Sequence, residues 1–202
     1  MPLFDPSLRW GSYINGITGL NVAAWGFVAM AVGYAQHAPS LLVIGAVTAG
    51  STTAFLPWNA PVARLFLGDV GSYLLGALVG IGIMIGGHQT SSFVLLLAPL
   101  SIYLADTSTV LLRRTLRGEP LMIAHRQHVY QRLVGELGMS HIAIAALTVL
   151  LGLVITAAWI LGPFLLAAPV TLIVIVAYLI SPAVLVPALA RHRVQIDVGE
   201  VT

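Results

Sequence analysis

Residues 55–76 read FLPWNAPVARLFLGDVGSYLLG and join two long apolar runs. Between those runs stand Asn59, Arg64 and Asp69, with Gly68 and Gly71 on either side of the aspartate. A membrane-spanning helix needs about 20 mostly apolar residues. Working outward from this stretch, six segments approach or meet that length: 17–35, 41–55, 72–87, 93–112, 142–161 and 165–189. The second and third borrow flanking residues to reach it. The sixth holds Pro169, Pro182 and Pro187, which predicts a kink or local unwinding. The fold expected is an all-α, polytopic membrane helix bundle with about six transmembrane helices in a lipid bilayer.

Composition agrees. Hydrophobic residues make up 58% of the 202, charged residues only 8%, and the mean hydropathy is +0.97. Ordinary soluble domains carry about 25% charged residues. With no cysteine there is no disulfide framework, thiol nucleophile or Cys-based metal site. The isoelectric point is near 9.3, but the nine basic residues, all Arg, gather at the ends of apolar runs, which argues against nucleic acid as a partner. The opening MPLFDPSLRW lacks the basic start and short apolar core of a cleavable signal peptide.

Arginine placement predicts orientation. Arg9 precedes the first span, Arg64 lies between the second and third, and Arg191 and Arg193 follow the sixth. Arg113, Arg114, Arg117, Arg126 and Arg132 lie between the fourth and fifth. Six spans with both termini cytoplasmic put all nine arginines inside. The expected layout is a leader at 1–13, a bundle at 14–190 with cytoplasmic loops at 57–71 and 113–141, and a cytoplasmic tail at 191–202. The location implied is the cell inner (plasma) membrane, multi-pass, with the polar site facing the cytoplasm.

In the first loop, Asp69 begins a span among small residues. A carboxylate there suits Mg²⁺, a hard cation that takes one or two carboxylates beside substrate phosphates. It equally suits a helix cap favoured by the dipole. Asn59 is a turn residue or a contact to a nucleobase edge. Arg64 grips a phosphate or simply fixes topology. In the second loop, HRQHVYQRL places His125, His128 and Arg132 at spacings of three and four, one face if the segment is helical. His and Arg together suit a pyrophosphate, although arginine there is also expected from topology. Asp106, in the fourth span, is a candidate by its depth, with a structural polar contact to Thr107, Thr109 or a loop arginine as the preferred reading. At the chain's start, INGITGLN puts Gly16 and Gly19 where they permit close helix packing, and Asn15 at the water's edge.

These three motifs together resemble the polyprenyl-phosphate N-acetylhexosamine-1-phosphate transferases, the glycosyltransferase family 4 group that includes phospho-N-acetylmuramoyl-pentapeptide transferase, in its C-terminal portion only. Asn59 and Asp69 keep the family's spacing of ten, with Val62 in place of the usual Pro before Ala63. Arg126, His128, Arg132 and Leu133 match its Asp-Arg-x-His-x-His-His-Arg-Leu motif, while His125, Tyr130 and Gln131 depart from it. Asn15 matches the second acidic-or-amide position of its Asp-Gly-x-Asn/Asp-Gly motif, whose first aspartate is missing.

The resemblance implies attack by a polyprenyl (undecaprenyl or decaprenyl) phosphate on a UDP-N-acetylhexosamine, in lipid-precursor synthesis for peptidoglycan or another surface glycan. It gives Mg²⁺ to Asp69, the diphosphate and the catalytic role to His128, Arg126 and Arg132, and substrate contacts to Asn15, Asn59 and Arg64. The form of the His loop is closer to the branch that uses simple sugars. The family's adjacent Asp-Asp pair has no counterpart here. That absence implies a truncated chain with little activity alone, so whether it is an enzyme stays open. The alternatives are a non-catalytic, polyprenyl-phosphate-binding or regulatory membrane protein and a small transporter using Asp106 and the Pro-rich sixth span. An exposed bundle face would pair with a second copy (a homo-oligomer) or a full-length paralogue.

Overall fold

The computed structural model describes residues 16–90, 92–120 and 128–199, and side chains as far as residue 187. Its elements are helices α1 (Ile17–Ala35), α2 (Pro39–Asn59), α3 (Gly68–Thr90), α4 (Phe93–Leu97), α5 (Ser101–Leu116), α6 (Val129–Leu137), α7 (His141–Leu161) and α8 (Phe164–Gly199). A single 3-10 turn at Ala98–Leu100 links α4 to α5. Among the described residues, six segments are long and apolar enough to cross a membrane: α1, α2, α3, the run Phe93–Leu116, α7 and the Phe164–Pro187 part of α8. The chain is therefore an all-α, multi-pass membrane bundle, as composition and run length predict. The coil after α2 is shorter than the expected 57–71 loop, because α2 continues through Pro57 to Asn59 and α3 begins at Gly68.

Of the kink or local unwinding expected in the sixth span, the unwinding does not occur. α8 is helical throughout despite Pro169, Pro182 and Pro187. Each proline forfeits one backbone donor, whereas unwinding in lipid would leave several backbone groups without partners. The break falls in the fourth span instead, at Pro99. There the Trp25 indole of α1, fully buried, donates to the Leu96 carbonyl at 2.9 Å.

Lipid tails are as apolar as leucine, so helices in a bilayer associate mainly by close packing of small residues. α1 and α2 do this along their length. A Cβ added at Gly26 would lie 2.5 Å from the Ala49 nitrogen, one at Gly33 2.5 Å from the Leu42 nitrogen, and one at Gly45 2.5 Å from the Met30 nitrogen. The backbones meet where the glycines are. Toward the polar end the same seam continues at Gly19, against Leu56, and at Gly16, against Ala60. The close packing expected of Gly16 and Gly19 is therefore present.

Two apolar clusters fill the bundle. One joins Trp25, Ala29, Leu41, Leu75, Val79, Leu96 and Leu100 across α1 to α4. The other joins Ile17, Ile102, Val129, Leu133, Ile144, Ile155 and Tyr178, and so packs α6 against α1, α5, α7 and α8. A further polar tie crosses the interior: the buried Asn21 of α1 donates to Thr148 Oγ1 of α7 at 2.9 Å.

Candidate functional site

Alternating spans bring the starts of α1, α3 and α7 and the ends of α2 and α5 to one end of the bundle. Contacts there confirm the grouping. Ile17 shares a core with Val129 and Leu133 of α6, and a Cβ at Gly16 would meet both Ala60 and Ile142. The stretch holding Asp69 and the stretch holding His128 and Arg132 therefore lie at the same end.

Asn59, the last residue of α2, organises the first loop. Its Oδ1 accepts from the Gly16 backbone N–H at 2.8 Å, and its Nδ2 donates to the Leu65 carbonyl at 2.9 Å. The Trp58 carbonyl accepts from the N–H groups of Arg64 and Leu65, which folds residues 60–67 back on the helix end. Gly68 then takes a φ of 62°, in the left-handed region that favours glycine, and α3 starts. Asp69 stands in the first turn of α3, exposed, and neither its carboxylate nor the exposed Arg64 guanidinium has a side-chain partner among the described residues.

The second loop is built differently. His128 is not part of a helix: it is the extended residue before α6 (φ −65°, ψ 144°). Its ring stacks on Tyr130 with centroids 4.8 Å apart, and its Nδ1 lies 3.5 Å from Asp106 Oδ1, an ion-pair distance without hydrogen-bond geometry. Its backbone N–H donates to Gln131 Oε1 at 3.3 Å. Arg132 turns the other way and grips Glu136 in the same helix, Nε to Oε1 at 2.7 Å and Nη2 to Oε2 at 3.1 Å. That hydrogen bond pushes the Arg132 guanidinium up and holds the Glu136 carboxyl below its ordinary range. The shared face expected of His128 and Arg132 does not form, because the helix begins one residue after the histidine. Asn15, His125 and Arg126 lie outside the described residues.

Asp106 reaches neither Thr107 nor Thr109, and Thr107 bonds back to the Tyr103 carbonyl. The Asp106 carboxylate accepts from the Val129 N–H at 3.0 Å, the Tyr130 N–H at 3.4 Å and the Tyr178 hydroxyl of α8 at 3.2 Å. The polar contact preferred from the sequence is there, but its partners are the first amides of α6 and a tyrosine 72 residues away. Burial pushes the Tyr130 phenol up, and Tyr103 and Asp106 add to the shift. Two contributors escaped sequence reasoning. Tyr178 was a polar tip in an apolar span, a signal that went unused. Arg114 is buried and close to Glu119 at 3.4 Å, and its guanidinium donates to the Pro120 carbonyl.

Residues 13–87 match the model of glycosyl transferase family 4. The chain is 30% identical over 104 residues to a probable undecaprenyl-phosphate N-acetylglucosaminyl 1-phosphate transferase of Bacillus subtilis, covering 50% of this chain and 29% of that protein. It is 27% identical over 155 residues to a decaprenyl-phosphate N-acetylglucosaminephosphotransferase of Mycolicibacterium smegmatis, covering 64% and 38%. It is 40% identical over 74 residues to a phospho-N-acetylmuramoyl-pentapeptide-transferase of Mycobacterium avium, covering 36% and 19%. These matches therefore span roughly a fifth to two fifths of the relatives' own length. No solved structure matches the chain. The stretch matched by that model contains both Asn59 and Asp69 and ends within α3.

Proposed function

We propose that this chain forms the nucleotide-sugar and diphosphate side of a site that transfers an N-acetylhexosamine 1-phosphate from a UDP-sugar to a polyprenyl phosphate, at the cytoplasmic face of the plasma membrane. The observation that carries this reading is the placement of two motif-bearing stretches, Asn59–Asp69 and His128–Arg132, at one end of a membrane bundle. In the reaction, an oxygen of the polyprenyl phosphate attacks the phosphorus bonded to the sugar. A new P–O bond forms, the bridging P–O bond breaks with its electrons leaving on UMP, and a polyprenyl diphospho-sugar remains.

The residues present fit Mg²⁺ in the mode in which it takes few protein ligands. Among the described residues no group of three His, Cys, Asp or Glu side chains gathers into an all-protein cage. Asp69 offers one carboxylate not engaged by another side chain, and Mg²⁺ completes its shell with substrate phosphates and water. When bound, the ion offsets the charge of two anionic reactants. His128 contributes a ring to the diphosphate, and Arg126 and Arg132 contribute guanidinium forks, Arg132 by exchanging Glu136 for a phosphate. Asn15, Asn59 and Arg64 meet the nucleotide, Asn59 while holding Gly16 and the 60–67 loop in place.

No two acidic residues are adjacent in the sequence, so a carboxylate pair to activate the acceptor phosphate is missing, and slow or no turnover is expected from this polypeptide by itself. The test is twofold. Purified chain should bind UDP-N-acetylglucosamine only with Mg²⁺, and Asp69→Asn should abolish that Mg²⁺-dependent binding. Membranes containing it should transfer little sugar phosphate to undecaprenyl phosphate. Metal-independent binding unchanged by Asp69→Asn would overturn the site; brisk turnover would overturn the expected inactivity. The transporter reading loses its main cue, since Asp106 is held by α6 and Tyr178.

A further inference from the structure

Helix N-termini attract anions, because their first N–H groups have no partner within the helix and the dipole is positive there. At α6 the anion is already in place. Asp106, 1% exposed, accepts from the first two amides of the helix, Val129 and Tyr130, and from Tyr178 of α8. The same carboxylate faces His128 Nδ1 at 3.5 Å. Four groups from α6, its preceding residue and α8 thus converge on one side chain of α5. This arrangement bears on the proposed reaction in two ways. The first two amides of α6 are taken by Asp106 and are not open to a substrate phosphate. And the position of the His128 ring is set from α5.

We propose that Asp106 is a positioning residue: by occupying the N-terminal end of α6 it fixes where His128 stands at the polar end of the bundle. It touches no substrate. The inference rests on the reading of His128 as a diphosphate contact, and it adds a residue outside the stretch matched by the family model, which ends at residue 87. The chemistry is that of a carboxylate orienting an imidazole while its remaining lone pairs are taken by fixed donors, so that neither the ring nor the helix end is free to turn.

The experiment uses the full chain in lipid nanodiscs. Asp106→Asn keeps the volume but presents an NH₂ group to donors that need an acceptor. UDP-N-acetylglucosamine binding in Mg²⁺ should weaken about 10- to 100-fold, as misplacement of a positioned group does. His128→Ala should weaken it too, and the double variant should be no weaker than His128→Ala alone, because the aspartate acts through that ring. Tyr178→Phe, which removes one donor and keeps the charge, should give a smaller loss of the same kind, and it carries the test if Asp106→Asn does not fold. Additive losses, or wild-type affinity in the variant examined, overturn the proposal.

Amide exchange separates this inference from the functional reading. If the wild-type chain binds no UDP-sugar, the functional reading fails, and the positioning role is judged on α6 alone. Faster exchange confined to residues 128–137 in the variant supports it. Unchanged exchange, or acceleration spread through α1 and α2 as well, overturns it.

Discussion

Asp69 and Asp106 each sit on a helix of the same bundle, and the two carboxylates are treated in opposite ways. Asp69 opens α3, exposed, with no side-chain partner among the described residues. Asp106 lies two turns inside α5, 1% exposed, with three donors and a histidine around it. A buried carboxylate is tolerable only when its lone pairs are satisfied. An exposed one at a helix start is stabilised by the dipole and stays available to a cation. The difference separates a group committed to holding the fold from one left open to a ligand. Depth in the membrane made Asp106 a functional candidate in the sequence, yet the buried aspartate is the one whose contacts are all internal.

The largest effect that sharpens this contrast is on stability. Asp106→Ala leaves the Val129 and Tyr130 amides and the Tyr178 hydroxyl without their acceptor. It should cost on the order of 3–5 kcal/mol, the usual cost of breaking a buried charged network. Equilibrium unfolding in a fixed lipid or detergent environment reads it. Equal costs for Asp106→Ala and Asp69→Ala would break the comparison.

Asn59→Ala should fall between the two. Asn59 belongs to the same loop as Asp69, yet both ends of its amide are used, on Gly16 at 2.8 Å and Leu65 at 2.9 Å. Losing one partly buried and one exposed bond should cost about 1–2 kcal/mol and quicken amide exchange at residues 16–20 and 60–67 together. Exchange that quickens in only one of these segments would show that Asn59 does not couple them.

These contrasts show what was legible in the sequence. The spans were, because crossing a bilayer imposes a length and a composition that can be counted along the chain. The glycines of α1 were, because close helix approach demands small residues at regular intervals. The partners of Asp106 were not. Its contacts to Val129, Tyr130 and Tyr178 span 23, 24 and 72 residues, and no local spacing rule reaches that far. The start of α6 was not legible either. Histidine and arginine at i and i+4 suggest one helical face, but with the backbone extended at His128 the two side chains part, one toward α5 and the other toward Glu136. Of the two outcomes the prolines of α8 suggested, a kink or unwinding, unwinding is absent for a third reason: it is disfavoured where no water can satisfy the exposed backbone.

The smallest effect is the most telling for Asp69. Without ligand, Asp69→Asn removes only a charge at the positive end of α3, and the cost should be about 0.3–1 kcal/mol at low ionic strength. Raising the salt to about 1 M, where the Debye length is about 3 Å, should remove most of it. A cost of several kcal/mol that salt does not screen would mean that Asp69 is tied into the fold as Asp106 is. A small, screened cost accompanied by loss of Mg²⁺-dependent UDP-sugar binding would leave capping as the lesser of its two roles. In that outcome the carboxylate matters far more to what the chain binds than to how it folds, the reverse of the balance at Asp106.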